Sequence, residues 1–309
     1  MKVVVCGAGG MLASDVSTIF DQRGHRVTNL SSEDLDITKL EAVRVKLKDL
    51  QPDLVFNAAA YTNVDACESK PELAYQVNCL GTRNLAIIAD KIDAALVHIS
   101  TDYVFGGQGN KPYREYDPVN PQSVYGKSKL DGELMVRQHC RRHYIVRTAW
   151  LFGYYGNNFV RTMLRLAKEH EYLRVVNDQR GSPTYTRDLA IAIADLVEKD
   201  TYGTYHLTNG GSCTWFTYTQ EIMELAGLNN VKLEPITTQQ LDRPAERPRY
   251  SVLDNYVWRL DGHQPLRSYR EALVDYLEEE GLIRGDRHEG RGIGRGDGIK
   301  NFSLNEGDQ

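Results

Sequence analysis

Short apolar runs alternate with helix-length amphipathic segments from the first residue to about residue 150. The runs are rich in β-branched residues and apolar on both faces, as strands packed between two layers of helices must be. The predicted strands are residues 3–6, 26–30, 54–57, 95–99 and 144–147. The predicted helices lie near residues 11–22, 38–49, 71–91 and 123–141. This alternation predicts an α/β fold with a doubly wound parallel sheet.

The pattern becomes less regular after residue 150. Helices are predicted near residues 157–169, 186–198, 216–226 and 268–280, and strands near residues 172–176 and 204–207. Pro244, Pro248 and Pro265 exclude a helix from the stretch around them. We therefore predict one domain over residues 1–150 and a smaller mixed domain over residues 151–284, and leave open that the second is interleaved with the first.

The last 25 residues differ in composition from the rest of the chain. Residues 285–309 hold seven glycines, and four basic side chains stand against five acidic ones with few apolar residues among them. Such a segment buries too little apolar surface to offset the entropy lost on ordering. We predict that residues 285–309 form a disordered tail.

Composition and charge exclude several classes of protein. Lys plus Arg number 37 and Asp plus Glu number 42, and the net charge of −5 does not favour a nucleic-acid partner. No apolar run approaches the roughly 18 residues of a membrane span, so no membrane contact is expected. The five cysteines form no C-x-x-C pair and the eight histidines form no ligand-spaced cluster. We expect a cytoplasmic protein without a disulfide framework or a catalytic metal.

A glycine cluster stands where the first strand ends and the first helix begins. Its spacing is Gly7, Gly10, Ala13, which is G-x-x-G-x-x-A and not the strict G-x-G-x-x-G. Glycine permits a tight turn and lets backbone N–H groups approach a pyrophosphate at a helix N-terminus. A plain strand-to-helix turn is the alternative, but the position in the first βα unit favours a Rossmann-like dinucleotide site.

The end of the second strand bears on which dinucleotide binds. An NAD site usually places an acid there to accept from the ribose 2′-hydroxyl, whereas this strand ends at Ser31, with Glu33 and Asp34 beyond it. The missing acid permits NADPH, and NADH is left open because no arginine is clearly placed for a 2′-phosphate. Asp36 either flanks the adenine or caps the helix that follows it.

A tyrosine and a lysine stand one helical turn apart, at Tyr125 and Lys129. Thr101 lies at the carboxyl end of the fourth strand, on the edge of a parallel sheet where ligands bind. A phenol can protonate the oxygen of a ketone that receives a hydride, while a nearby hydroxyl donates to the same oxygen. The lysine ammonium is expected to lower the tyrosine pKa and to orient the nicotinamide ribose. Chance spacing on a helix is the alternative.

On these residues the chain resembles the dTDP-4-dehydrorhamnose reductases, a family of the extended short-chain dehydrogenases/reductases. The resemblance extends from residue 1 to about residue 283. The segments that carry it are residues 7–13, 57–65, 77–85, 100–105, 125–129, 147–150 and 178–184. Three of these segments are more specific to the family: Thr-Asp-Tyr-Val-Phe at 101–105, Arg-Thr-Ala-Trp at 147–150 and Asp-Gln-Arg-Gly-Ser-Pro-Thr at 178–184.

The resemblance implies reduction of the C4 ketone of dTDP-4-dehydro-L-rhamnose to dTDP-L-rhamnose by NADPH, with NADH open. It implies Tyr125 as proton donor, Lys129 as the residue that orients the cofactor and tunes Tyr125, and Thr101 as the partner of the ketone oxygen. The implied cofactor residues are Gly7, Gly10, Met11, Leu12, Asp36, Ile37, Ala60, Tyr61, Thr62, Tyr125 and Lys129. The implied substrate residues are Thr101, Asp102 and Trp150. Residues 1–150 would then bind the dinucleotide and residues 151–284 the substrate.

Several departures and alternatives remain at this point. Ala13 replaces the usual third glycine, and Met11 and Tyr61 stand where the family often has Gln and His. Trp150 follows a predicted core strand, so packing is the alternative to ligand contact. The alternative functions are reduction or epimerisation/reduction of another nucleotide-linked 4-keto-6-deoxyhexose, and a non-catalytic dinucleotide-binding regulatory subunit. A homodimer is left open.

Overall fold

The computed structural model describes residues 1–283. The predicted tail at 285–309 lies outside the described residues. The strands are β1 (Lys2–Cys6), β2 (Arg26–Leu30), β3 (Leu54–Asn57), β4 (Ala95–Thr101), β5 (His143–Thr148), β6 (Leu151–Phe152), β7 (Tyr172–Val176), β8 (Arg180–Gly181), β9 (Thr184–Tyr185), β10 (Gly203–His206), β11 (Cys213–Thr214) and β12 (Lys232–Ile236). The α-helices are α1 (Met11–Gln22), α2 (Leu40–Leu50), α3 (Val64–Ser69), α4 (Pro71–Tyr75), α5 (Thr82–Lys91), α6 (Val124–His139), α7 (Phe159–Glu169), α8 (Thr186–Val197), α9 (Trp215–Leu225), α10 (Tyr256–Leu260) and α11 (Tyr269–Glu279).

The main sheet has six parallel strands in the order β10-β5-β4-β3-β1-β2. Val5 of β1 pairs with Asn29 of β2 on one side and with Phe56 of β3 on the other. The chain therefore winds outward from β1 in both directions, which confirms the doubly wound sheet. The crevice between the outgoing connections lies at the carboxyl ends of β1 and β3, the usual ligand site of such sheets.

Helices cover both faces of this sheet. Val3 and Val5 point into a core shared with α1 and α8, and Val4 and Cys6 point into a core shared with α2, α5 and α6. Alternate side chains of one strand thus enter opposite cores, which explains why the strands read as continuous apolar runs. All five cysteines are buried and free.

The second half of the chain contributes to the main sheet as well as to a smaller body. β10 pairs with β5, and α8 packs against α1 on the face of the sheet. The remaining strands form three two-stranded sheets, β12-β7, β11-β8 and β6-β9. β6, β9 and β11 contribute to a core that α7, α9 and α11 share, and β7 packs with α7 and α9 in a separate smaller core. The division into two domains at residue 150 stays a prediction. β10 comes from the second half of the chain and lies in the main sheet, as expected if the second domain is interleaved with the first.

The predicted helix over residues 71–91 is wrong as a single element. The structure has α4, a π-helical segment at Gln76–Gly81, and α5 in its place, preceded by α3, which was not predicted. Pro71 occupies the first position of α4, where its missing N–H is tolerated. β12 was also not predicted, because two of its five residues are exposed, two are half-buried, and only Ile236 is buried, so that they show no clear alternation. Within the described residues no helix is long and apolar enough to span a bilayer.

Candidate active site

A cavity of about 1200 Å³ opens at the carboxyl edge of the sheet. It lies along the ends of β1, β3, β4 and β5, where the topology reverses. Every residue that the sequence singled out for cofactor, substrate or catalysis lines this one cavity. These residues are Gly7, Gly10, Met11, Leu12, Asp36, Ile37, Ala60, Tyr61, Thr62, Thr101, Asp102, Tyr125, Lys129 and Trp150.

The glycine turn has the geometry of a phosphate cradle. Gly7 and Gly9 have φ of +89° and +87°, in the left-handed region that favours glycine. The backbone nitrogens of Gly7 and Ala8 both donate to the carbonyl of Leu30, at 3.0 Å each, which ties the turn to the end of β2. No side chain caps α1 after Gly10, so the first N–H groups of the helix have no side-chain acceptor. This cradle fits a dinucleotide pyrophosphate.

We expect Gly7→Ala to weaken NADPH binding severely. A Cβ at this position would stand 2.7 Å from the backbone nitrogen of Ala59, so either the turn or the loop after β3 must move. Losing about 1.4 kcal/mol of phosphate contacts raises the dissociation constant about tenfold, and we expect at least this effect in a fluorescence titration with NADPH.

Gly24→Ala is the matched control for Gly7→Ala. Gly24 also has a left-handed φ of +78°, but no atom lies within 4 Å of an added Cβ. We expect a stability loss of about 1 kcal/mol from the backbone strain and no change in NADPH affinity. Equal NADPH affinities for Gly7→Ala and the unmodified protein would exclude the cradle.

The end of β2 presents hydroxyl groups to the cavity. Ser31 and Ser32 line it, and the Ser31 hydroxyl holds Asp34 by donating to Oδ2 at 2.8 Å. Asp36 lines the cavity too, and its Oδ1 accepts from the backbone nitrogen and the hydroxyl of Thr38. α2 begins only at Leu40, so Asp36 stabilises the turn before the helix and does not cap the helix itself.

The guanidinium of Arg23 is engaged elsewhere. It pairs with Asp195 on α8 and with Glu198 directly after α8, at 2.6 and 3.0 Å. Arg23 therefore already has two anionic partners, and we do not assign it to a 2′-phosphate.

A buried asparagine that the sequence reasoning missed holds the loop after β3. Asn78 accepts from the backbone nitrogen of Tyr61 at 2.8 Å and donates to the Tyr61 carbonyl at 3.1 Å. It also donates to the hydroxyl of Ser128 on α6 at 3.0 Å. The π-helical segment widens the helix and turns Asn78 inward, which links the loop at 60–62 to the helix of the tyrosine–lysine pair.

Local sequence explains the close approach of α6 to β4. Ser123 caps the helix by accepting from the backbone nitrogen of Gly126 at 3.1 Å. A Cβ on Gly126 would come within 2.3 Å of the carbonyl oxygen of Tyr103, so only glycine lets the helix approach the turn after β4 this closely. Tyr125 and Lys129 face the cavity from the same side of α6.

The electrostatics of the tyrosine differ from the sequence expectation. Burial raises the pKa of Tyr125 above its ordinary value, and the carboxyl of Asp102 raises it further, while a hydrogen bond with Thr101 opposes both. The expected lowering by Lys129 is wrong for this structure. Lys129 donates from Nζ to the carbonyl of Ile99 at 2.6 Å, and burial lowers its pKa to about 8 against the opposing charge of Glu133.

Thr101 and Asp102 form the turn that faces Tyr125. The Thr101 hydroxyl donates to Oδ1 of Asp102 at 3.0 Å and accepts from the backbone nitrogen of Tyr103 at 3.2 Å. Asp102 is buried, and its Oδ2 accepts no hydrogen bond from the described residues. Burial raises the pKa of Asp102 to about 6, and the hydroxyls of Ser251 and Thr101 counteract part of that rise.

Trp150 both lines the cavity and packs. Its φ is +48°, and its ring stacks on Trp215 with the centroids 3.4 Å apart and the planes 4° from parallel. A Cβ on Gly181 would meet the Trp150 ring at 2.4 Å, which explains a glycine beside the tryptophan. Trp215 and Phe159 also line the cavity and were not predicted, because they stand on helices far along the chain.

A buried ion pair supports the site from beneath. Glu133 accepts from Ser100 at 2.7 Å and from Arg147 at 2.8 Å on both carboxylate oxygens, and Arg137 adds a contact at 2.9 Å. The pair joins α6, β4 and β5 at the level of Lys129. The sequence analysis included Ser100 and Arg147 only as parts of longer segments that carry the family resemblance, and it did not single out Glu133. No group of three His, Cys, Asp or Glu side chains within residues 1–283 is arranged to hold a metal ion.

The six-stranded parallel sheet, the glycine cradle and the tyrosine–lysine pair beside β4 define the class of the short-chain dehydrogenases/reductases. Residues 1–281 match the family described as "RmlD substrate binding domain", and the chain belongs to this family.

Relatives of the chain carry related names. It is 45% identical over 278 residues to a dTDP-4-dehydrorhamnose reductase of Streptomyces griseus, covering 88% of this chain and 91% of the relative. It is 44% identical over 278 residues to the spore coat polysaccharide biosynthesis protein SpsK of Bacillus subtilis, covering 90% and 97%. The crystal structure of a dTDP-4-dehydrorhamnose reductase from Bacillus anthracis in complex with NADP has a TM-score of 0.87 at 39% identity, covering 90% of this chain and 100% of that one.

Proposed function

We propose that the chain reduces the C4 ketone of dTDP-4-dehydro-L-rhamnose to dTDP-L-rhamnose with NADPH. The observation that carries the proposal is a single cavity in which a phosphate cradle at Gly7 and a tyrosine–lysine pair at the end of β4 stand together. A relative of 45% identity that is named for this reaction supports the choice of substrate.

In this proposal the cradle of Gly7 and Gly10 and the start of α1 hold the pyrophosphate. Asp36 and Ile37 would bind the adenine, and the loop at 60–62 would hold another part of the dinucleotide. The hydroxyls of Ser31 and Ser32 at the end of β2 tolerate a 2′-phosphate, which a carboxylate there would repel. The related structure that contains NADP supports NADPH as the cofactor.

When bound, the nicotinamide supplies a hydride to C4. Tyr125 then donates its phenolic proton to the oxygen, and the raised pKa keeps this phenol protonated at neutral pH. Lys129 is held towards the cavity by its hydrogen bond to Ile99 and retains most of its charge below about pH 8. Thr101 and Trp150 stand where the sugar would meet the cofactor.

A second cavity of about 630 Å³ supports a nucleotide-linked substrate. Tyr103 lines both cavities, so the two adjoin beside Thr101 and Asp102. Arg243 and Arg247 line the second cavity while pairing with Asp65, and Arg249 lines it as an exposed cation. A pyrophosphate between sugar and nucleoside is the kind of group that arginines bind.

The proposal is tested by the absorbance of NADPH. We expect steady oxidation with dTDP-4-dehydro-L-rhamnose and none with dTDP-glucose, which has the nucleotide but no ketone. Faster oxidation with a different 4-keto-6-deoxyhexose would reassign the sugar. Absence of oxidation with every 4-keto sugar, together with tight NADPH binding, would favour the non-catalytic binding subunit. The homodimer and the cytoplasmic location stay predictions, and light scattering after gel filtration tests the first.

A further inference from the structure

One carboxylate stands between the two cavities. Asp65 is the second residue of α3, and in the described part of the chain it belongs to the lining of neither cavity. Its neighbour Val64 lines the main cavity, whereas its own oxygens bond Arg243 and Arg247, which line the second cavity. Asp65 therefore acts on bound ligands only through other residues.

Asp65 accepts hydrogen bonds from both arginines and from the backbone between them. Arg247 donates from Nη1 to Oδ1 at 2.9 Å and from Nη2 to Oδ2 at 2.8 Å, which is the strong bidentate arrangement. Arg243 donates to Oδ2 at 3.1 Å, and the backbone nitrogen of Ala245 donates to Oδ1 at 3.2 Å. The carboxylate therefore holds residues 243–247 as one unit.

Residues 243–247 have no helix or strand of their own. Within the described chain, every hydrogen bond from this stretch to another segment goes to Asp65. The residues that follow have a different anchor, because the carbonyl of Arg249 accepts from the backbone nitrogen of Arg180 at 2.8 Å. Loss of the Asp65 contacts should therefore release residues 243–247 and leave Arg249 in place.

α3 also continues the loop that lines the main cavity. Tyr61 and Thr62 of this loop line the cavity, and Asn63 caps α3 by accepting from the backbone nitrogen of Ala66 at 3.0 Å. Only two residues separate Thr62 from Asp65. A dinucleotide that contacts the loop restricts its conformation, and so restricts the position of α3 and of Asp65.

We propose that Asp65 couples the two cavities, so that bound NADPH strengthens binding of the nucleotide diphosphate of the substrate, and the reverse. The inference rests on the proposed function, which assigns the dinucleotide to the main cavity and the diphosphate to the second. The two states of the coupling are residues 243–247 docked on Asp65, as in this structure, and released from it. NADPH favours the docked state by restricting α3, and the diphosphate favours it by binding the docked arginines. Two ligands that favour the same state bind cooperatively.

The docked arginines keep donors for an anion. A guanidinium has five N–H groups, and the contacts of Arg247 use three of them, two at Nη1 and one at Nη2. Its Nε–H and its second N–H at Nη2 have no acceptor among the described residues. Asp242 and Glu246 also line the second cavity, so its charge is mixed. Placement of the guanidinium donors, more than net charge, therefore has to select the diphosphate.

The test measures the dissociation constant of dTDP with and without saturating NADPH by isothermal titration calorimetry. dTDP carries the diphosphate but no sugar, so no reduction takes place. For the unmodified protein we expect dTDP to bind about tenfold more tightly when NADPH is present, a typical size for such a coupling. NADPH must gain affinity by the same factor when dTDP is present.

Asp65→Asn should reduce the ratio of the two dTDP dissociation constants to about one. The amide has one acceptor oxygen and presents N–H groups to the guanidinium of Arg247, so the bidentate contact is lost. The affinity for NADPH alone should stay almost unchanged, because the cradle at Gly7 and the bond from Asn78 to the loop remain. Asp65→Glu keeps a carboxylate and should restore part of the ratio.

Asp90→Asn is the matched control. Asp90 on α5 accepts from the side chain and the backbone nitrogen of Arg141, at 3.0 and 3.1 Å, and it is 30% exposed against 23% for Asp65. It stands shortly before β4, at the amino edge of the sheet, so the ratio should not change. Arg249→Gln removes a cation from the second cavity without touching Asp65, and should weaken dTDP equally with and without NADPH.

Arg247→Lys tests the coupling without altering Asp65. Lysine keeps the charge but cannot make the bidentate contact, so we expect the ratio to fall here too, whether or not Asp65→Asn folds. A ratio of one in the unmodified protein overturns the coupling and leaves the proposed reduction intact. A ratio that persists in Arg247→Lys and in folded Asp65→Asn overturns the role of Asp65. An unmodified protein that binds no dTDP overturns the proposed substrate, and the coupling with it.

Discussion

Tyr125→Phe is expected to lower kcat by about a thousandfold, in line with the loss of a positioned general acid. The ring stays in place, because its edge-to-face contact with Tyr103, at 5.6 Å between centroids, does not involve the hydroxyl. NADPH affinity should therefore remain almost unchanged. The measurements are NADPH oxidation with dTDP-4-dehydro-L-rhamnose and a fluorescence titration with NADPH alone.

Tyr202→Phe is the control for loss of a phenol. Tyr202 stands before β10, at the opposite edge of the sheet, where its hydroxyl bonds Asp200 and Arg142. We expect turnover at the level of the unmodified protein. If Tyr125→Phe turned over equally fast, the phenol of Tyr125 would have no part in the proton transfer.

The second large effect is on stability. Glu133→Gln leaves the guanidinium of Arg147 buried without its anion, and breaking such a pair costs about 3–5 kcal/mol. The free energy of unfolding in urea measures the loss. The same change removes the charge that opposes the lowered pKa of Lys129, so any alkaline limb of the activity profile should move to lower pH.

Arg137→Gln is the control within the same network. Arg137 bonds the same carboxylate, but its side chain is 36% exposed, so solvent compensates for its loss. We expect a change below about 1 kcal/mol. If both variants lost a similar free energy of unfolding, burial of the Glu133–Arg147 pair would add no stability beyond that of an exposed ion pair.

The same carboxylate also makes stability depend on pH. Burial by itself would raise the pKa of Glu133, but the hydrogen bonds from Arg147 and Ser100 outweigh it and hold the pKa below its ordinary value. A lowered folded-state pKa contributes stability above the unfolded-state pKa, and this contribution is lost as the pH falls through the folded-state value. Glu133→Gln should therefore flatten the acid side of the stability profile.

Local pattern was sufficient for most of the sheet. Residues 26–30, 54–57 and 172–176 form strands with the predicted bounds, since each is a short segment with β-branched or aromatic residues between turn residues. The interval 71–91 failed, because its apolar spacing is helical throughout, while the π-helical break depends on Asn78 turning towards Tyr61 and Ser128. Those partners stand far away in sequence.

The candidate site shows the same division. The glycine turn and the pair of Tyr125 and Lys129 were visible because their spacing is local and each type has a specific chemical use. Trp215 and Glu133 were not, since their contacts to Trp150 and Arg147 join segments 14 or more residues apart. The sign of the Tyr125 pKa shift was also wrong, because spacing shows the nearby lysine but not the burial.

The amino-acid sequence by itself determined the alternation of strands and helices in the first 150 residues, the glycine turn at Gly7 and the pairing of Tyr125 with Lys129, because periodicity and turn chemistry act over a few residues. The tertiary structure alone decided that β10 completes the sheet, that Lys129 bonds Ile99, and that Asp102 is buried beside the phenol. Burial and charge depend on the distance between atoms in space, and chain folding sets that distance.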